Sequence, residues 1–117
     1  MYVTALSVDP PQPHAKPAQF FFRVSFLNTV GADVHYPRWR VLIIPQGQSK
    51  AIGDPRGASP TIVNGVSQQT TEPWSVNVVA SCQSYAAQPV WEDENGQQTP
   101  LPLPNGQAAA LEFQVCP

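Results

Sequence analysis

Apolar and polar residues alternate with a period of two along most of this chain. The clearest stretch is residues 18–28, AQFFFRVSFLN. There Phe20, Phe22, Val24 and Phe26 share one face, and Phe21, Arg23, Ser25 and Leu27 share the other. Successive strand side chains point to opposite sides, so the first set predicts a core-facing strand. Burying one such phenylalanine is worth roughly 1.5–3 kcal/mol. Residues 2–8 form an earlier strand, closed by Asp9-Pro10-Pro11-Gln12-Pro13. Residues 36–44 follow, with Trp39, Val41 and Ile43 in phase and Arg38, Arg40 and Leu42 opposite. That spacing puts the two arginines on a solvated face. Residues 50–60 read as a loop and 61–63 as a short strand ended by Asn64-Gly65.

Residues 67–79 read as a longer strand with Trp74, Val76 and Val78 on one side. Pro73 cannot donate to a ladder, which demands an edge or a bulge there. Residues 85–92 alternate with Tyr85, Ala87 and Trp91 in phase. The Asn95-Gly96 step then predicts a hairpin with positive φ at both positions. Residues 97–104 are a proline-rich edge ribbon, and 109–115 place Leu111, Phe113 and Val115 inward. No long window shows helical periodicity. The sum is about seven antiparallel strands, an all-β, immunoglobulin-like β-sandwich filling residues 1–117 as one domain.

Composition supports many short elements. Fourteen prolines and seven glycines belong in connections and at edges, and 42 % of residues are apolar. Only 12 % are charged, the net charge is −2, and no basic stripe exists. Nucleic acid is therefore not an expected partner. No apolar run approaches the ~20 residues that span a bilayer, so no membrane insertion is expected. No signal peptide precedes the first strand, and the chain reads as a domain excised from a longer protein, monomeric when isolated.

The cysteines set the compartment. Cys82 lies just before the strand at 85–92, and Cys116 just after the strand at 109–115. Antiparallel pairing of those strands brings both to one end of the sheet, where a disulfide fits. Such a bridge is worth roughly 3–4 kcal/mol in the chain-entropy picture. It implies an extracytoplasmic location: secreted, cell-surface or periplasmic.

Chemistry-bearing clusters are few. The acidic turn Glu92-Asp93-Glu94-Asn95-Gly96 offers oxygens suited to calcium, but it lacks the spacing of an EF-hand loop and reads as a polar hairpin. His14 and His35 show no ligand spacing, and no nucleophile elbow or phosphate cradle occurs. Neither a catalytic set nor a cofactor or metal is expected. Trp39 and Trp91 are in phase with aliphatic residues and belong to the core. Trp74, on an edge, and Tyr36, on an outward phase, are the candidate ligand-facing aromatics; a carbohydrate-binding module would instead need Trp39, Trp74 and Trp91 exposed as a sugar-stacking platform. Tyr2 and Phe21 also fall on outward phases.

The stretch FFFRVSFLNTVGADV, with Phe22, Val24, Phe26 and Asn28 as F-x-V-x-F-x-N, resembles the signature of bacterial and archaeal immunoglobulin-like surface domains of the cell-adhesion-related (CARDB) type. TIVNGVSQQTTEPW is similar to that family's turn and following long strand, with Asn64 where a proline is common. The resemblance runs from Tyr2 to Val115. It implies a non-catalytic module with a structural, spacer or adhesion role in a larger secreted or surface protein. Its partners would be neighbouring domains, a surface protein or a polysaccharide, and it implies no particular binding residues.

Overall fold

A computed structural model describes residues 1–35 and 39–117. They form nine strands and connecting turns, with no helix among them. β1 (Tyr2–Asp9), β2 (Phe21–Asn28) and β6 (Gly65–Thr70) make one antiparallel sheet in the order β1-β2-β6. In the second, β4 (Trp39–Pro45) pairs with β7 (Gln83–Glu92). β8 (Gln98–Pro100) and β9 (Leu111–Val115) lie end to end along the other edge of β7. A two-residue pair, β3 (Val34–His35) with β5 (Thr61–Ile62), forms a small third ladder. The order 1-2-6 against 4-7-9 is the strand pairing of an immunoglobulin-type sandwich.

The expected inward faces are the ones that meet. Phe20, Phe22, Val24 and Phe26 are buried opposite Trp39, Val41, Ile43, Ala87 and Phe113. Rings touch across the gap edge-on, Phe26 with Trp39 at 5.3 Å and Phe22 with Phe113 at 5.4 Å. Such tilted pairs put a ring's positive edge on its neighbour's negative face. Trp91 differs from expectation: it packs against the core but is only partly buried. Asn28, buried at the end of β2, is satisfied on both sides of its amide. Its Nδ2 donates to Ala32 O and Ile62 O, and its Oδ1 accepts from Val30 N.

Three elements differ from the sequence expectation. β6 stops at Thr70, so the long strand over 67–79 is cut short. Phe22 N donates to Thr71 Oγ1, and the chain then leaves the ladder apart from the bridge between Trp74 and Phe20. Residues 52–58, expected to be loop, instead run along β4. Ile43 N bonds Gly53 O, Val41 N bonds Pro55 O and Gly57 N bonds Trp39 O, all within 3.1 Å. The same segment reaches the first sheet through Glu72 N to Arg56 O and Ala58 N to Thr70 O, both 2.8 Å. It thereby closes one side of the sandwich and covers two strand edges that would otherwise template aggregation. The third difference is the turn after β7. Only Gly96 has positive φ, +79°, so the hairpin is a type I turn with a glycine bulge rather than the mirror-image turn.

The two ends of the chain lie at opposite poles. Tyr2 pairs with Leu27, beside the Phe26–Trp39 contact. Cys116 lies beyond Val115, next to the Phe20–Phe113 contact. The long dimension of the molecule is 48 Å against 26 and 24 Å.

Candidate functional site

Trp74 sits on the irregular stretch after β6, fixed by reciprocal backbone bonds with Phe20 at 2.8 and 2.9 Å. Its indole is half-buried and rests on Gly53, where an added Cβ would lie 2.4 Å from Nε1. The companion contact is tighter: a Cβ on Gly57 would lie 1.9 Å from Trp39 Cε2. The strap over 52–58 therefore lies flat on two indoles because two of its residues lack a side chain. Trp74 also lines a depression of about 390 Å3 with Leu42, Lys50, Asp54 and Gln98. Tyr36, the other candidate aromatic, lies outside the described residues.

Cys82 and Cys116 form the expected disulfide, with Cα atoms 4.0 Å apart. The pairing follows from register: Gln83 faces Val115, so the next residues outward face each other. A disulfide is the covalent feature of an oxidising environment. Among the described residues no helix is long and apolar enough to cross a membrane.

In the acidic turn, the Asp93 carboxylate is used within the turn. Its Oδ1 accepts from Asn95 N and Gln97 N at 2.9 Å each. Two backbone donors on one oxygen build an Asx-type turn.

Arg40 is a correction. It takes the outer face, as its phase requires, but it is buried rather than solvated, with 10 % of its side chain exposed. Its Nη1 donates to Asp54 at 2.6 Å, and its Nη2 lies 3.5 Å from Glu92. Nε has no hydrogen-bond partner among the described residues. The strap brings Asp54 over the sheet, and β7 supplies Glu92, so residues distant in sequence cover a position that alternation assigns to water. Arg38 lies outside the described residues.

The two histidines are far apart. His14 Nδ1 is 3.4 Å from Pro117 O, and His35 Nδ1 is 3.4 Å from Thr61 Oγ1 at the other pole. Among the described residues, no three His, Cys, Asp or Glu side chains converge as a metal shell.

One cluster has no counterpart in the sequence reading. Gln46, Ser84 and Tyr85 gather where β4 ends and β7 begins, with Gln83 and Gln114 beside them. Tyr85 is 6 % exposed, and burial pushes its phenol pKa up. Scattered glutamines carry no periodic signal, so only the fold assembles them. No family model, curated protein or solved structure matches the chain.

Proposed function

We propose that the chain is a non-catalytic, extracytoplasmic immunoglobulin-like module of the cell-adhesion-related type. It spaces, supports or adheres within a larger secreted or surface protein and is monomeric when isolated. The observation that supports this best is the placement of its ends. A segment entering at one end of the ladders and leaving at the other spaces whatever it joins. The disulfide and the self-covered strand edges fit an exposed, unchaperoned setting.

The test is made on intact source cells. Protease added from outside should degrade the protein, and both cysteines should resist alkylation until reduced. A protease-protected pool carrying free thiols would overturn the reading. A broad esterase, glycosidase and peptidase screen should return background, and turnover abolished by a single acid or histidine change would also overturn it.

A second reading, a carbohydrate-binding module, is favoured by one feature. Half-buried Trp74 lines a depression with an amide, a cation and a carboxylate. Retention on polysaccharide columns supports it, and free passage dismisses it.

A further inference from the structure

After Trp74 the chain leaves the first sheet and reaches β7 with no ladder of its own, since residues 75–82 belong to no strand. The stretch is pinned at its ends. Trp74 exchanges backbone bonds with Phe20, Val76 O accepts from Lys16 N at 3.0 Å, and Cys82 is tied to Cys116. Between those anchors, Asn77, Val78, Val79, Ala80 and Ser81 make no hydrogen bond among the described residues. Val78 packs partly against the core, and the other four are exposed. At 94 % exposure, Val79 exceeds every other large apolar residue described.

Exposure alone does not single out this stretch; exposure with unbonded backbone does. Val30, Ile52, Val63 and Val66 are exposed too, yet each sits in or beside bonded backbone. Val30 N is held by Asn28 Oδ1, and Ile52 N donates to Ile43 O. Val63 lies between β5 and the bond from Asn64 N to Asp33 Oδ1, and Val66 stands on the rung with Leu27.

A peptidase holds its substrate as an added strand, so the main chain at the cut must first come free of its own partners. In a ladder that breaks several hydrogen bonds. Over residues 77–81 it breaks none, and only the Val78 contact has to lift. Exposed segments of small residues are where folded chains are nicked. The side chains then select the enzyme. Val79 and Ala80 are small and aliphatic, which suits a shallow apolar specificity pocket of the elastase kind. No lysine or arginine follows Arg56 in the chain, so an enzyme specific for basic residues has no target here.

The disulfide defines the product. Both cysteines lie on the C-terminal side of the cut, so no covalent bond joins the two pieces. One piece keeps β1 to β6 and the other β7 to β9. They remain joined by the β4–β7 ladder, from Trp39–Trp91 to Pro45–Tyr85, and by Phe113 against Phe20 and Phe22.

We propose that residues 78–81 are a processing site for an endopeptidase with a small-aliphatic specificity pocket, and that the cut chain persists as a two-piece sandwich. Water adds across the Val79–Ala80 or Ala80–Ser81 peptide bond. Its hydroxyl goes to the carbonyl carbon and its hydrogen to the departing nitrogen, with no change of oxidation state. The inference stands on the fold and is independent of the module's partners.

The experiment is digestion of the folded, oxidised chain with pancreatic elastase, followed by intact mass, electrophoresis and gel filtration. The first product should be heavier by one water and cut at Val79–Ala80 or Ala80–Ser81. It should fall into two pieces in denaturing electrophoresis without reductant, yet elute with the uncut protein in gel filtration. The double variant Val79→Asp, Ala80→Asp should be cut there at least about tenfold more slowly, because a charge is costly to desolvate in an apolar pocket. Both side chains are exposed, so its melting temperature should match wild type. A first cut elsewhere, a nicked product that is degraded without accumulating, pieces that part in gel filtration, or a double variant cut as fast as wild type would each overturn the proposal.

Discussion

Gly57→Ala tests how closely the strap is seated on the core. The added methyl would lie 1.9 Å from Trp39 Cε2, 2.1 Å from Cζ2 and 2.3 Å from Nε1. Trp39 cannot yield easily. It is 1 % exposed, meets Phe26 edge-on, and donates Nε1–H to Ser59 O at 2.8 Å. Overpacking of this kind costs about 1–3 kcal/mol. Pulling the indole from Ser59 leaves a buried donor unpaired, another ~1–3 kcal/mol. Lower entropy of the unfolded chain offsets about 0.4–1 kcal/mol. The net is a loss of about 3 kcal/mol, or roughly 10 °C in melting temperature for a chain of this size. Urea unfolding followed by tryptophan fluorescence measures it, with an unchanged m-value as the check that only stability moved. Gly106→Ala is the control: it has nothing within 4 Å and only a positive φ of +90° to strain it. If Gly57→Ala falls within about 0.5 kcal/mol of wild type, the range of an inconsequential surface change, the strap is not seated as described.

Three further outcomes are expected. Arg40→Ala should destabilise by about 2 kcal/mol because it strips Glu92 and Asp54 of their cation, less than a fully buried pair since Asp54 is half exposed. Arg40→Met strips the same cation but keeps an apolar stem packed where the arginine methylenes lie, so it should cost less; chemical denaturation of both variants gives the comparison. Replacing Cys82 and Cys116 by alanine opens a loop of sequence separation 34 and should cost about 4 kcal/mol, read as a lower midpoint at constant pH. Burial raises the Tyr85 pKa in the folded state. Its contribution is therefore complete below the free phenol value of about 10 and is lost as pH rises through the higher folded value. Stability should thus fall at alkaline pH, and Tyr85→Phe should flatten that part of the profile.

The strands that alternation fixes are the ones whose two faces meet different surroundings, as in β2, where phenylalanine and valine face the opposing sheet on every second residue. The disulfide was legible for a related reason: once β7 and β9 pair, register alone places Cys82 beside Cys116. The strap over 52–58 was not legible. Its bonds to β4 arise from close backbone approach over Trp39 and Trp74, and glycine and proline carry no alternating signal. Arg40 shows the same limit, because phase assigns a face but not what covers it. β6 was overextended because Thr71 diverts to Phe22 and Pro73 has no N–H to continue the ladder. The glutamine-rich corner is legible only after β4, β7 and β9 are brought together, since no spacing marks it.

The central claim is that the large rings and branched aliphatics join two stacked sheets and do not form a working surface. The indole proton of Trp39 tests it most directly, because it is buried and bonded to Ser59 O. In hydrogen exchange followed by NMR, that proton should exchange only with global opening, at rates matching the amides of Phe22, Val24 and Phe26. Exchange at the rate of a free indole, with those amides unprotected, would contradict the claim.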